Sequence, residues 1–163
     1  MGRVETLSFD LLKLGYGLGL AVIVGGGLAI ASAAAPAIFR ATRARAEAAT
    51  LFAAVVERFD GLAIVALVVV GLTTVLRAGA VDEDPRDLRI VARWVALALM
   101  AVAVLYGSMW ANPVARSIRK QTAGFDDLPE GDVRRHEFRA LHERSRRALS
   151  FAVVLGAVAL FFS

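Results

Sequence analysis

The chain has 163 residues with a mean hydropathy of +0.62, and 58% of its residues are hydrophobic. This length makes one domain, and the composition is that of a protein whose solvent is lipid. The net charge is +4, and the basic residues lie mostly between the apolar runs, so we expect no nucleic-acid partner. The lack of cysteine excludes disulfides, thiolate metal sites and cysteine nucleophiles.

Four apolar stretches predict an all-α fold made of transmembrane helices. A helix needs about 20 apolar residues to cross about 30 Å of hydrocarbon. The second and fourth stretches are shorter, so they extend into flanking polar residues. The predicted spans are residues 11–35, 59–77, 91–111 and 142–162. We predict an integral membrane four-helix bundle, with a long fourth helix that is partly cytoplasmic and continuous from about Val133 to Phe162.

The distribution of basic residues predicts the orientation of the chain. Thirteen of the 19 Lys and Arg residues lie between the first two spans or in the basic segment 112–147. Because cytoplasmic loops carry an excess of Lys and Arg, we place these two segments in the cytoplasm and both termini outside an inner or plasma membrane. The other side carries the acidic residues Asp82, Glu83, Asp84 and Asp87. We expect the basic run from Arg134 to Arg147 to contact anionic headgroups at the cytoplasmic face of the bilayer.

Small residues at a spacing of four predict close helix packing, because helices in lipid associate largely through van der Waals contact. The series in the first span is Gly17, Ala21, Gly25, Ala29 and Ala33, with Gly15 and Gly19 as a second pair. The series in the fourth span is Ala148, Ala152 and Gly156. Our first interpretation is that these two helices pack together within the chain. The alternative is a face for a homodimer.

Polar residues at the helix ends predict a cluster on the cytoplasmic side. Asp60 begins the second span, Asn112 follows the third, and Pro36 follows the first. His142 and Ser145 lie on the predicted inner face of the fourth helix. Because exposure of polar groups to lipid is unfavourable, we expect His142 inside the bundle, within hydrogen-bond or one-water reach of Asn112, Asp60 or the backbone near Pro36.

Two interpretations of this cluster stay open. In the first, it is a polar clamp in which His142 fixes the helix register through bonds of about 1 kcal/mol each. In the second, it binds a proton, a metal ion or haem, because neutral imidazole is a common metal ligand. His136 falls off the face of His142, and we expect it to be solvated. The chain has no G-x-S-x-G, H-E-x-x-H or nucleotide-binding motif, so we predict neither catalytic residues nor a cofactor.

Three short segments carry a family resemblance. They are Ala35–Phe39, Trp110–Pro113 and Phe138–Ser145, the last with the pattern F-x-x-L-H-x-x-S. Together they resemble the transmembrane-protein-205-like family, domain of unknown function 4149, over nearly the whole chain. The resemblance implies a four-span membrane protein. The positions to which it points are Pro36, Phe39, Asn112, Pro113, His142 and Ser145.

The resemblance also bears on function. Eukaryotic relatives are linked to tolerance of platinum drugs, which implies export or vesicle traffic. A more distant similarity to the copper-resistance-protein-D and protoporphyrinogen-oxidase-like bundles implies histidines in the spans, but the first span here has none.

We therefore predict a non-enzymatic integral membrane protein of unsettled biochemistry. Its cytoplasmic-side polar cluster either clamps the bundle or binds a small cation or a partner. One alternative is a redox membrane protein that handles haem or metal. The other is an accessory subunit of a larger membrane complex, and the sequence also leaves a homo-oligomer open.

Overall fold

The computed structural model describes residues 3–80 and 86–163, and most of them are helical. The acidic residues Asp82, Glu83 and Asp84 lie outside these ranges. The described residues contain no strand, which confirms the all-α prediction. The six α-helices are α1 (Arg3–Ala29), α2 (Ala35–Ala41), α3 (Arg45–Ala80), α4 (Leu88–Leu105), α5 (Asn112–Gln121) and α6 (Val133–Phe161).

Three helical stretches of the described chain are long and apolar enough to cross a membrane. They are Leu7–Ala41, Arg45–Gly79 and Leu88–Gln121, and they contain the predicted spans 11–35, 59–77 and 91–111. The first half of α6 is charge-dense, and its apolar part begins at about Ala148. The sequence prediction of one continuous helix from Val133 agrees with the bounds of α6.

Two π-helical segments lie inside the long helical stretches, each shortly before a proline. A proline has no N–H, and its ring clashes with the carbonyl group four residues earlier in a regular α-helix. In both places the amide before the proline donates instead to the carbonyl oxygen five residues back, and this wider turn lets the helix continue past the proline ring. The segments are Ile30–Ala34 and Tyr106–Ala111, and the bonds run from Ala35 to Ile30 and from Asn112 to Gly107.

The core lies where α1, α3, α4 and α6 meet. α1 packs against α3 and α6, and α6 also packs against α4. Leu20, Ile23 and Met100 are the largest fully buried side chains. The other core residues are Tyr16, Ala63, Ala66, Val70, Ala96, Leu97, Val104, Ala152 and Ala159.

The close contact of α1 with α3 uses Gly19, which belongs to the second predicted pair, rather than the longer series from Gly17 to Ala33. A Cβ atom on Gly19 would lie 2.6 Å from Val70 Cγ2 and 3.0 Å from the Ala66 carbonyl oxygen. The backbones of α1 and α3 therefore lie almost directly against each other. On α6, Gly156 packs against side chains instead, since its Cβ atom would lie 2.6 Å from Val24 Cγ2 and 3.2 Å from Met100 Sδ.

The predicted small-residue groove of α1 faces away from the rest of the chain. Gly17 and Gly25 have no heavy atom within 4 Å of an added Cβ atom, and Ala21, Ala29 and Ala33 are exposed. The expectation that this series packs against the fourth helix is therefore corrected. Its counterpart on α6 does pack inward: Ala148 is half-buried, Ala152 is fully buried, and Gly156 is buried.

The connection between α5 and α6 folds against both helices. Gly124 has a φ of 65°, a left-handed conformation that suits glycine. The buried ring of Phe125 then meets the Phe138 ring edge-on, with 5.1 Å between centroids. The Asp132 carboxylate accepts a 2.8 Å hydrogen bond from the backbone N–H of Arg134 and so caps α6.

Candidate functional site

Asp60 is a buried carboxylate at the start of the apolar part of α3, and it is 5% exposed. Burial of an unpaired carboxylate would be strongly unfavourable, so its partners matter. Its Oδ1 accepts a hydrogen bond from Asn112 Nδ2, and its Oδ2 accepts one from Arg116 Nη1, each at 2.9 Å. Both partners belong to α5. Asp60 therefore joins α3 to α5 through both of its oxygen atoms.

Asn112 and Arg116 reach the same carboxylate because of where α5 begins. Asn112 is the first residue of α5 and follows the second π-helical segment directly. Arg116 comes four residues later, and side chains at this spacing lie on the same helix face. The direction in which α5 leaves the π-helical segment thus aims both donors at Asp60.

Ser145 extends the hydrogen-bond network to α6. Its Oγ donates to Asn112 Oδ1 at 2.5 Å. The Asn112 amide thus donates to the carboxylate with its nitrogen and accepts from the hydroxyl with its oxygen. Gly107 lies beside this contact, since a Cβ atom on it would be at an ordinary van der Waals distance of 3.8 Å from Ser145 Oγ. We name Asp60, Asn112, Arg116 and Ser145 the Asp60 cluster.

The Asp60 cluster is electrically neutral. The side chains of Asp60 and Arg116 are 8% and 20% exposed, and their opposite charges form a charge-assisted hydrogen bond. Such a buried pair adds little net stability over an apolar pair, but removal of one partner leaves an uncompensated charge. A cation that entered this site would have to displace Arg116. The geometry is therefore that of a closed polar junction between three helices.

His142 lies outside the Asp60 cluster. It is exposed, and its ring is stacked on that of Phe138, with 6.1 Å between centroids and 2° between planes. No hydrogen bond joins it to the cluster within the described part of the chain. The inner face of α6 runs through Leu141 and Ala152, and His142 is about 100° round the helix from Leu141. The expectation that His142 turns into the bundle is therefore corrected.

Pro36 forms no hydrogen bond with the cluster among the described residues. It is half-buried in the first turn of α2, and it has no N–H to donate. The ring contact of α2 with α3 joins Phe39 to Phe52, with 6.0 Å between centroids. Phe52 precedes Asp60 by about two helical turns. The structure thus brings together three of the five predicted residues, namely Asp60, Asn112 and Ser145.

Arg116 is the member that the sequence interpretation missed. It contributes to the sequence prediction only as one of the basic residues that predict the orientation of the chain. Its spacing of four from Asn112 was the available signal, because it places a cation beside an amide that was already assigned to the cluster. Among the described residues, no group of three His, Cys, Asp or Glu side chains could hold a metal ion.

An all-helical chain, with three helices of membrane-spanning length and a neutralised carboxylate at the helix ends, has the features of an integral membrane protein. The profile of the family described as Domain of unknown function (DUF4149) matches residues 18–123. Because this is more than half of the chain, the protein belongs to that family. No curated protein and no solved structure matches it. The match includes Pro36 and Asn112 but ends before the F-x-x-L-H-x-x-S segment of α6.

Proposed function

We propose that this protein is a non-enzymatic, four-span membrane protein in which the Asp60 cluster clamps three helices at the cytoplasmic edge of the bilayer. The observation that carries the proposal is that both oxygens of Asp60 are bound by α5, while Ser145 binds the same amide from α6. The clamp fixes the register of α3, α5 and α6. It lies where the apolar parts of these helices give way to charged segments.

The fourth span of this proposal is the second half of α6. This half packs against α1 and α4 along its inner face. Its outer face carries large apolar side chains that only lipid would cover favourably: Phe151, Val154 and Phe161 are 67%, 61% and 81% exposed. The apolar part, from about Ala148, is short for a span, so polar residues before it lie at the membrane edge.

We further propose that the Asp60 cluster faces the cytoplasm and that anionic headgroups contact the arginines of α6 beside it. Arg139, Arg144 and Arg147 are exposed there. An anionic leaflet attracts each such residue by about 1 kcal/mol. This orientation follows from the excess of basic residues in the segments on that side.

The orientation predicts the labelling of single cysteines, and the native chain contributes none of its own. We expect Gln121→Cys, at the exposed end of α5, to resist a membrane-impermeant maleimide added to intact cells and to react after permeabilisation. Arg89→Cys, at the exposed start of α4, should react in intact cells. The reverse pattern would place the Asp60 cluster on the outer side.

The clamp and the cation-binding hypotheses predict different responses to added ions. In a clamp, Arg116→Gln removes the charge that balances Asp60, so we expect a loss of about 2 kcal/mol in unfolding free energy in detergent. Added K⁺, Mg²⁺, Ca²⁺ or Zn²⁺ should not stabilise the native protein specifically. Arg119→Gln is the matched control, because its partner Asp126 is 51% exposed and the pair contributes below about 1 kcal/mol.

The contrary outcomes identify the alternatives. Stabilisation of the native protein by one cation, lost in Asp60→Asn, would replace the clamp with a cation site. A Soret band or stoichiometric metal in the purified protein would favour the redox alternative. Stoichiometric co-purification with a larger membrane protein would favour the accessory subunit.

A further inference from the structure

Two cationic side chains lie against aromatic rings of α1 at the end of the bundle opposite the Asp60 cluster. Lys13 Nζ lies 4.7 Å from the centroid of the Phe9 ring, and Arg77 Cζ lies 5.8 Å from it. Arg77 Cζ is also 5.4 Å from the centroid of the Tyr16 ring. The Tyr16 hydroxyl donates to the Ala159 carbonyl oxygen of α6 at 3.2 Å. We name Phe9, Lys13, Tyr16 and Arg77 the basic-aromatic end.

The positive charge of the basic-aromatic end has no carboxylate partner among the described residues. The described ion pairs include neither Lys13 nor Arg77. Asp10, the neighbouring carboxylate on α1, is exposed and forms none of these pairs. Both side chains instead contact aromatic faces, which attract a cation but do not neutralise its charge. An anion beside Lys13 and Arg77 would complement this charge.

An apolar groove approaches the basic-aromatic end along the junction of α1 and α6. It has a volume of about 430 Å³. On α1, Val24 follows Lys13 by eleven residues, which is about three helical turns. The two residues therefore lie about 16 Å apart along the helix, on faces that differ by only about 20°. At the C-terminal end of α6, the groove extends to Phe161 and to Phe162, the residue that follows the helix, shortly after Ala159, which accepts the Tyr16 hydrogen bond. The remaining lining residues are Leu28, Val153, Val154, Ala157 and Val158.

We propose that the basic-aromatic end and this groove together bind one anionic phospholipid. Its phosphate lies at Lys13 and Arg77, and one acyl chain lies in the groove. The apolar lining suits a hydrocarbon chain, and the cations at the end of the same α1 face suit a phosphate. Bulk lipid would cover the apolar face without a preference for a headgroup, so the cations add the selectivity. This proposal does not depend on the Asp60 clamp or on its sidedness.

The headgroup is tested by lipid binding to the purified protein, measured by native mass spectrometry and thermal shift. We expect phosphatidylglycerol to bind about tenfold more tightly than phosphatidylcholine with the same acyl chains. The preference should be lost in the Lys13→Gln/Arg77→Gln variant and kept in the charge-conserving Lys13→Arg/Arg77→Lys variant. The matched control is Arg40→Gln/Arg43→Gln, which removes two exposed charges at the other end of the bundle and should keep the preference.

The groove is tested with a bulky residue. Ala157→Phe fills it and should weaken phosphatidylglycerol binding about tenfold, whereas Ala98→Phe, at an exposed alanine of α4 outside the groove, should not. Equal binding of the two lipids, or no effect of the glutamine pair, would overturn the proposal. Inorganic phosphate that competes as well as the lipid would identify a free-phosphate site instead. A dimer that Ala157→Phe dissociates would show that a second copy occupies the groove.

Discussion

Replacement of Asp60 by alanine is expected to lower the free energy of unfolding by about 3 kcal/mol. The change leaves the Arg116 guanidinium without its counter-charge and the Asn112 amide without its acceptor. Removal of one partner of a buried ion pair costs about 3–5 kcal/mol. We expect the low end of this range because the Arg116 side chain is 20% exposed, so it can turn away from the cluster and be solvated. Chemical or thermal unfolding in a mild detergent measures the effect.

Two variants make this test specific. Glu57→Ala removes an exposed carboxylate one turn earlier on α3, and it should change the stability by less than about 0.5 kcal/mol. Asp60→Ala/Arg116→Ala removes both charges together, so it should lose less than the sum of the single variants. If Asp60→Ala were as stable as Glu57→Ala, the cluster would not hold the helices together.

Replacement of Gly19 by leucine is expected to destabilise the protein by about 3 kcal/mol or more. Even the first side-chain carbon would lie 2.6 Å from Val70 Cγ2 and 3.0 Å from the backbone oxygen of Ala66. A backbone atom cannot turn aside as a flexible side chain can, so α1 and α3 would have to separate. Overpacking in cores costs about 1–3 kcal/mol, and separation of two helices adds to it. The melting temperature in detergent reports the loss.

Gly25→Leu is the matched control on the same helix. An added Cβ atom at Gly25 meets no heavy atom within 4 Å, so the monomer should keep its stability. This reverses the expectation from sequence spacing alone. If Gly25→Leu destabilised the protein or changed its mass in solution, the outward face of α1 would pack against a second copy or another subunit. Unchanged stability of Gly19→Leu would contradict the described packing of α1 on α3.

The lengths of the apolar runs predicted the helices of the fold, but they did not predict which face of each helix packs inward. Long apolar runs can satisfy their backbone only as helices in lipid, so the three membrane-length stretches follow from composition. The inward face of α1 does not follow from composition, because the helix carries two interleaved series of small residues with the same spacing. The series from Gly17 to Ala33 is longer, whereas the pair Gly15 and Gly19 makes the contact. Only the partner helix decides between them.

The candidate site was predictable where a residue had one favourable direction. Asp60, Asn112 and Ser145 are polar groups at the ends of apolar runs, and they meet because each would otherwise face lipid. His142 lies at the margin of the inner face of α6, one residue and about 100° of helix rotation from the buried Leu141. Its ring therefore points away from the bundle and stacks on Phe138. Arg116 replaces it as the partner of Asp60, since a long side chain can reach inward from a position near the surface.

The π-helical segment before α5 has a consequence for how this membrane protein tolerates changes in chain length. Insertions and deletions are usually tolerated in surface loops. The segment from Tyr106 to Ala111 instead accommodates the equivalent of one inserted residue within a helix. Loss of that residue would rotate α5 by about 100° relative to α4 and carry Asn112 and Arg116 away from Asp60. The polar junction therefore depends on a single-residue irregularity in the chain, as well as on the four side chains that form it.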